Sequence, residues 1–500
     1  MAKNVSRLIS YGASAASRRL STATAATTTA SIKDGENSLY RRLSFLGGTD
    51  KNVADTLNEW VKEGKPIGKT EAIGCVTQLR KYKKYKHAIQ IMDWLENRDR
   101  DLAQADHAIR LDLIAKTEGI ESAEKYFERL PEPAKNKLTY GALLYCYCQN
   151  KMTEKALALF EKMTDLNLVS SYLPYNNLMS LYTRVGEPEK VPPLVQKMKE
   201  KNIKPDPYTY TFLMNSYASL KDIEGVERTM EEMKKDKVKS DWSTYGTLAS
   251  IYVKAGLFDK ANPVLKELEK MDNVRDRKPY HILMGLYALA NNKLGVNRVW
   301  ESLKSAFPKT TNMSYVSLLH ALNRLGDTDG LEKHFKEWES SCSDYDIRVA
   351  NFLIESYLTR DMITEAELLR EDAVKKGGDP NSRTLYTFMK FYLKKHQIDL
   401  ALKYFVDAVS KSKDNKWEPS EETICTFRKY FEEGKDVDGA EKFFKSLKKV
   451  RSLDSEDYDS LLRTYIAAGK REPHMRQRME ADGIELSSGI NKLLGRVCPA

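Results

Sequence analysis

Residues 172–206 read YLPYNNLMSLYTRVGEPEKVPPLVQKMKEKNIKPD, and this stretch decides the fold. Its first half carries a helical apolar stripe, Leu178, Met179 and Tyr182, and Gly186 then suits the left-handed backbone that ends a helix. Its second half repeats apolar residues at i, i+3, i+4 and i+7, namely Val191, Leu194, Val195 and Met198. Pro205 closes the stretch because proline cannot continue a helix. The pattern predicts two short helices joined by a turn.

The same pattern returns every 35 residues along the chain. Each repeat carries a tyrosine at its fourth position: Tyr140, Tyr175, Tyr210, Tyr245, Tyr280 and Tyr315. The twentieth position keeps a small or branched apolar residue: Ala156, Val191, Val226, Ala261, Val296 and Leu331. Two helices this short cannot bury their apolar faces alone, whereas stacked neighbours can. The chain is therefore predicted to be an all-α solenoid of stacked helix-turn-helix repeats of about 35 residues.

The register divides the chain into segments. We expect a transit peptide at 1–35, a linker or N-terminal cap at 36–68, two degenerate or short repeats at 69–136, seven 35-residue repeats at 137–381, three irregular repeats at 382–489 and a tail at 490–500. Pro192, Pro193 and Pro263 fall early in second helices, so we expect those helices to start late or bend.

The N-terminal segment has the composition of a targeting sequence. Residues 1–33 contain no acidic residue and are rich in Ala, Ser and Thr, with arginines spaced among them. This pattern is typical of a transit peptide and favours the mitochondrial matrix over the chloroplast. The alternative is a disordered tail. No apolar run is long enough for a membrane span, so no membrane partner is expected.

Charge and cysteine usage restrict the possible partners. The chain carries a net charge of +10, of which residues 1–35 contribute +4. The remaining +6 is mildly basic, which is consistent with a phosphate-rich partner but is also common in other soluble proteins. The six cysteines are scattered without a C-x-x-C pair, so we expect reduced thiols rather than a disulfide framework or a zinc site.

One short run has the local composition of a nucleic-acid contact. Tyrosines alternate with basic residues in it, and the candidate phosphate contacts are Arg80, Lys81, Lys83, Lys84 and Lys86. Phosphate attraction and base stacking give the functional interpretation. The alternative is the charged face of an amphipathic helix.

The repeat resembles one of the two helical families with nearly this period. Tetratricopeptide repeats span 34 residues and place Trp, Leu-Gly and Tyr in the first helix, a pattern that this chain lacks. The junctions Lys204-Pro205-Asp206-Pro207 and Pro380-Asn381, with the 35-residue step over about 105–489, resemble pentatricopeptide repeats of the plant mitochondrial type. This resemblance implies a right-handed superhelical α-solenoid that binds single-stranded RNA, roughly one base per repeat.

The resemblance also implies which residues touch the bases. In that family the fifth and last residues of a repeat choose the base, and the second residue packs against it. Three pairs then look competent: Asn176 with Asp206 for uracil, Thr211 with Asp241 for guanine, and Asn351 with Asn381 for cytosine. The candidate packing residues are Leu138, Leu173, Tyr208 and Met313. A helix-start or turn role is an equal alternative for each polar residue.

The other pairs depart from the code. They are Gly141/Ser171, Gly246/Asp276, His281/Thr311, Val316/Asp346, Tyr386/Ser420 and Cys425/Asp454. Glycine and valine offer no group for a base, so at most a short readable patch, 5′-UG-3′, is expected from 172–241. We therefore weigh two functions. One is an organellar RNA-binding adaptor that supports transcript stability, processing or translation; the other is a structural component of the mitochondrial ribosome that acts through protein and rRNA contacts.

No catalytic site is expected. A zinc deaminase needs H-x-E and C-x-x-C, and none of the seven histidines is followed two residues later by glutamate. No phosphate-cradling glycine loop or G-x-S-x-G motif occurs either. We expect no cofactor, no metal and no small-molecule substrate. The expected partners are mitochondrial mRNA or rRNA and, for the second function, mitoribosomal proteins.

Overall fold

A computed structural model describes residues 38–44, 46, 52–98, 102–271, 276–412 and 417–498, so the predicted transit peptide lies outside the described residues. Within these ranges every regular element is a helix, which confirms the all-α prediction. The chain divides after Met271 into two compact parts, here called the N-terminal body and the C-terminal body.

The N-terminal body consists of helical pairs. Its helices are α1 (Leu39–Ser44), α2 (Val53–Lys62), α3 (Lys69–Lys81), α4 (Tyr85–Glu96), α5 (Gln104–Thr117), α6 (Ile120–Arg129), α7 (Lys137–Gln149), α8 (Thr153–Asp165), α9 (Tyr172–Val185), α10 (Val191–Glu200), α11 (Pro207–Ser219), α12 (Ile223–Lys235), α13 (Trp242–Lys254) and α14 (Phe258–Lys270).

The C-terminal body continues the same alternation. Its helices are α15 (Lys278–Leu289), α16 (Lys293–Ala306), α17 (Asn312–Leu325), α18 (Thr328–Ser341), α19 (Ile347–Thr359), α20 (Ile363–Lys375), α21 (Ser382–Lys394), α22 (Ile398–Ser410), α23 (Glu421–Gly434), α24 (Val437–Leu447), α25 (Ser455–Ala468), α26 (Met475–Ala481) and α27 (Ser488–Val497). From α7 to α25, the odd-numbered helix is the first helix of each repeat.

The first helices begin where a polar side chain caps them. Asp206 accepts a hydrogen bond from the backbone N–H of Thr209, and Asp241, Asn381 and Ser420 serve α13, α21 and α23 in the same way. Such a cap satisfies one of the backbone N–H groups that have no partner inside the helix. Gly186 ends α9 in the left-handed conformation that the sequence predicts, with φ of 83°.

The core of each body is built from the same helix–helix contacts, which recur from one repeat to the next. The residues at the twentieth position of the repeats, from Ala156 to Leu331, are at most 1% exposed. The fourth-position tyrosine packs edge-on against an aromatic residue of the preceding second helix in several repeats. The ring centroids lie 5.1 Å apart for Phe160–Tyr175 and 5.1 Å apart for Trp300–Tyr315. Edge-to-face pairs add about 0.5–1.5 kcal/mol beyond area burial.

Three local features can be compared with the sequence predictions: the helices that contain early prolines, α10 and α14, and the C-terminal segment. A short 3₁₀ turn at Pro188–Lys190 precedes α10, which therefore starts late, whereas Pro263 is accommodated inside α14. The segment expected to be a tail forms α27 instead. Ile490, Leu494 and Val497 lie on one face of this helix and are buried, so α27 covers apolar surface at the end of the C-terminal body.

Candidate nucleic-acid interface

Within each body the first helices of successive repeats pack side by side and form one layer. The outer side of this layer is here called the first-helix face. In the N-terminal body, α7, α9, α11 and α13 carry Lys137, Arg184 and Lys254 and no acidic residue. By contrast, the second helix α12 alone has four glutamates. The acidic side chains of these repeats therefore lie outside the first helices themselves, although Asp206 and Asp241 stand at the starts of α11 and α13 as caps.

The C-terminal body shows the same segregation in its first four repeats. Helices α15, α17, α19 and α21 hold one acidic residue, Glu355, and six basic ones: Lys278, Arg324, Arg348, Arg383, Lys390 and Lys394. A surface that is basic and nearly free of carboxylates attracts a polyanion, because each carboxylate would repel a phosphate.

The candidate uracil pair is joined by hydrogen bonds. The Nδ2 of Asn176 donates to Oδ1 of Asp206 at 2.9 Å, and the hydroxyl of Thr209 lies 2.8 Å from Oδ1 of Asn176. Thr209 is fully buried and is the third residue of the next repeat. The Thr209 hydroxyl also lies 2.9 Å from Oδ1 of Asp206. It therefore links the fifth and last residues of one repeat to the start of the next repeat.

One oxygen of this cluster is left without a partner. Asp206 is 8% exposed, and its Oδ1 accepts hydrogen bonds from Asn176 and from the backbone N–H of Thr209. Its Oδ2 is buried and has no hydrogen-bond partner among the described residues. A buried acceptor without a donor costs about 1–3 kcal/mol, so a ligand N–H at this position would be stabilised.

The other two candidate pairs differ from each other. Asn351 lies with its Nδ2 3.4 Å from Oδ1 of Asn381, and the hydroxyl of Thr384 reaches Oδ1 of Asn351 at 2.7 Å, as in the first pair. Thr211 instead donates to the carbonyl of Pro207 at 2.9 Å, while Asp241 caps α13. Two of the three sequence-predicted pairs are therefore brought together and one is not.

Sequence reasoning missed two further joined pairs. The Nε2 of His281 lies 3.0 Å from the hydroxyl of Ser314, which in turn lies 3.0 Å from that of Thr311. The Tyr386 hydroxyl lies 3.1 Å from that of Ser420, and both contact Thr423. Burial lowers the pKa of His281, so its ring is neutral near pH 7 and presents one donor and one acceptor.

The joined pairs share a feature that is visible in the sequence, at the third position of each repeat. A hydroxyl residue occurs there in most repeats, and six of these side chains are at most 5% exposed: Thr139, Thr209, Thr244, Ser314, Thr384 and Thr423. Buried hydroxyls need hydrogen-bond partners, and here the partners are the cap and the fifth residue.

The candidate packing residues belong to the first helices α7, α9, α11 and α17. Leu138, Leu173 and Tyr208 are half-buried, and Met313 is 47% exposed. In the C-terminal body two repeats have arginine at the second position, Arg348 and Arg383. The guanidinium of Arg383 lies 5.0 Å from the ring centre of Phe352. Stacking of this kind offers a flat cationic surface rather than an apolar one.

The basic run from Arg80 to Lys86 contains the turn between two helices, because α3 ends at Lys81 and α4 begins at Tyr85. Arg80 makes an ion pair with Asp112 at 2.7 Å, and Lys84 donates to the carbonyl of Ser44. These two residues are therefore removed from the set of phosphate contacts. Lys81, Lys83 and Lys86 are exposed.

Neither a metal centre nor a membrane span is found in the part of the chain that the structure describes. No group of three His, Cys, Asp or Glu residues there is arranged to hold a metal ion. None of the described helices combines the length and the apolar character that a bilayer crossing requires.

Comparison with known proteins identifies similar repeats. The model of the PPR repeat family matches residues 174–219, and the model of the PPR repeat matches residues 138–168, 208–238 and 243–272.

Three curated relatives from Arabidopsis thaliana cover nearly the whole chain. The mitochondrial pentatricopeptide repeat-containing protein At1g02370 is 45% identical over 94% of this chain and 88% of its own length. The mitochondrial protein At4g01990 is also 45% identical, over 92% of each chain. The large ribosomal subunit protein mL101 is 42% identical over 96% of this chain and 99% of its own length.

Among solved structures, the maize pentatricopeptide repeat protein PPR10 matches part of the chain. It has a TM-score of 0.47 and 16% sequence identity, and the match covers 88% of this chain and 67% of that one.

Proposed function

The chain belongs to the pentatricopeptide repeat family, and from this premise we propose that it binds single-stranded RNA along the first-helix face of each body. In this role it supports the stability, processing or translation of mitochondrial transcripts. Relatives described as mitochondrial, 45% identical to this chain, support a mitochondrial location together with the acid-free N-terminal segment.

The observation that carries this proposal is the segregation of charge. The eight first helices from α7 to α21 contain one carboxylate, Glu355, among them. Nothing in the helical fold requires this, because both helices of a pair need a polar outer side. Selection for a polyanionic ligand explains why that polarity comes from neutral and basic residues on one side only.

The joined pairs supply a means of contacting bases. At the Asn176–Asp206 cluster, the free Oδ2 is an acceptor, and the N3–H of uracil is a donor at the matching edge. Leu173 and Tyr208, the second residues of two successive repeats, belong to α9 and α11 and are proposed to pack against the base. The Asn351–Asn381 cluster offers amide groups, which suit the N3 acceptor of cytosine. We propose that the remaining repeats hold the backbone without selecting a base.

The proposal is tested by binding of the full chain to short labelled RNAs. We expect binding of single-stranded RNA that weakens steeply with salt, since counterions are released from the phosphates. A duplex RNA of the same length serves as the control. Absence of binding at low salt would refute the proposal.

A second candidate function rests on one specific observation, the 42% identity to mL101 over 99% of that protein. In this role the chain is a component of the large mitochondrial ribosomal subunit, and the first-helix face holds a segment of rRNA. Sedimentation of mitochondrial extract separates the two functions. Stable co-migration with the large subunit supports the second, and migration as a small particle contradicts it.

A further inference from the structure

The first-helix face changes character at its C-terminal end. Whereas α15 to α21 hold a single acidic residue among their first helices, α23 and α25 together hold seven acidic residues and three basic ones. The acidic residues are Glu421, Glu422, Glu432, Glu433, Glu456, Asp457 and Asp459. A polyanion on the basic part of this face is repelled at α23.

An open cavity lies at this acidic end. Its volume is about 960 Å³, and it is bounded by α23, α25 and the start of α27. Glu432, Glu433, Glu456 and Asp459 are among the side chains that line it. Lys429 and Arg463 also line it, but they pair with Glu433 at 3.8 Å and with Asp459 at 2.6 Å. Arg428 also lines the cavity and pairs with Glu456, so the four lining carboxylates outnumber the three cationic side chains by one, and Glu432 is the one that makes no ion pair among the described residues.

Two buried polar groups in the cavity wall lack a partner. Ser460 is 7% exposed, and its hydroxyl oxygen has no hydrogen-bond partner within the described ranges. Arg428 is 8% exposed; its terminal nitrogens pair with Asp457 and, at 3.3 Å, with Glu456. Its Nε–H donates to no acceptor in the same part of the chain. Two donors inside an acidic cavity call for carbonyl acceptors on a positively charged ligand.

We infer that this cavity binds a lysine- and arginine-rich segment of a partner polypeptide. Cationic side chains meet Glu432, Glu433 and Glu456, and backbone carbonyls of the segment accept from Arg428 and Ser460. An RNA segment would place phosphates against the same carboxylates, and a simple metal ion would leave both donors unused. The site is separate from the proposed RNA-binding part of the face and does not depend on it.

The experiment uses the full chain and a short fluorescein-labelled peptide of alternating Lys, Arg, Gly and Ser residues. Its control is a peptide with Glu at every Lys and Arg. Anisotropy measures the affinity of the parent chain and of the triple variant Glu432→Gln, Glu433→Gln, Glu456→Gln. We expect the basic peptide alone to bind and the triple variant to weaken it about tenfold, through loss of three exposed charge pairs.

A matched triple variant removes three surface glutamates from second helices of the same body: Glu301→Gln, Glu332→Gln and Glu371→Gln. We expect the peptide affinity of this variant to stay within about twofold of the parent. Thermal melting of each variant checks that the fold is intact. Equal losses in the two triple variants, or an unchanged affinity in the first, would overturn the inference.

Ser460→Ala provides a test of the buried donor that is insensitive to net charge. We expect weaker peptide binding with an unchanged dependence on salt. A benzophenone on the peptide should crosslink to residues of α23, α25 or α27. Crosslinks elsewhere, or crosslinks of single-stranded RNA to these three helices, would contradict a polypeptide site. Because the peptide measurements contain no RNA, their failure leaves the proposed RNA binding untouched.

Discussion

The substitution Asp206→Asn tests base reading at the cluster with the unpartnered acceptor. Asn keeps Oδ1, which accepts from the backbone of Thr209 and from Asn176, and replaces the buried Oδ2 with an NH₂ donor. The acceptor that is proposed to meet a uracil N3–H thereby becomes a donor that suits the N3 of cytosine. The variant pair also becomes chemically equivalent to Asn351 with Asn381.

The expected magnitude follows from the two roles of Asp206. Asn and Asp are equally good helix caps, so the free energy of unfolding should change by about 0.5 kcal/mol or less. A mismatched base leaves a buried polar group unpaired, which costs about 1–3 kcal/mol. The preference for uracil over cytosine at this position should therefore fall by about fivefold to 150-fold, since each tenfold step corresponds to about 1.4 kcal/mol.

The assay selects RNA from a randomised pool with the full chain and reads the bound sequences. The control is Asp222→Asn, which makes the same chemical change at the cap of the second helix α12, where Asp222 accepts from Gly225 at 2.7 Å. Only Asp206→Asn should shift one position from uracil toward cytosine. The reasoning is refuted if the base preference stays the same, or if both variants change it equally.

Three further outcomes are expected. Lys390→Gln with Lys394→Gln should flatten the salt dependence of RNA binding, lowering the slope of log K against log salt by about 1.4 if both contact phosphates. Asp112→Asn should lower the free energy of unfolding by about 3–5 kcal/mol, measured in urea, because the buried guanidinium of Arg80 loses its partner. Burial lowers the pKa of His281, so stability present above the unfolded pKa of about 6.5 is lost as pH falls; His281→Gln should reduce the fall in Tm between about pH 7.5 and pH 5.5.

Each of these outcomes has a matched control. Lys234→Gln with Lys235→Gln removes two exposed lysines from a second helix and should leave the salt slope unchanged. Asp438→Asn removes an exposed carboxylate that pairs with Lys470 and should cost less than about 1 kcal/mol. The exposed His474→Gln should preserve the pH dependence of Tm. A control that behaves like its test variant contradicts the corresponding prediction.

The fold was predictable from local pattern. The 35-residue step of the tyrosines, the small residue at the twentieth position and the closing proline each act within one helical pair or between neighbours in the chain. Periodicity of this kind records which face of a helix is buried, and burial dominates the energy of a repeat. For the same reason the apolar spacing of Ile490, Leu494 and Val497 is that of a helix with one buried face, which is α27. The sequence analysis assigned the segment to a tail because it is short.

The site was predictable only in part. The sequence identified the fifth and last positions through their resemblance to a family, and it showed hydroxyl residues at the third position without a role for them. The role depends on a distance between side chains 33 residues apart, such as the 2.8 Å between Thr209 and Asn176. Residue type alone also misjudged His281 and Tyr386, whose neighbours across the repeat boundary supply the missing partners.

The sequence by itself determined the repeat, its period and the stacking of helical pairs, because these follow from hydrophobic spacing along one chain segment. Only the tertiary structure decided which polar groups are used up within the protein and which remain for a ligand. Arg80 belongs to the first class, since Asp112 approaches it from the next repeat, and the Oδ2 of Asp206 belongs to the second. Hydrogen bonds and ion pairs act over a few ångströms, so their partners are set by packing and not by order along the chain.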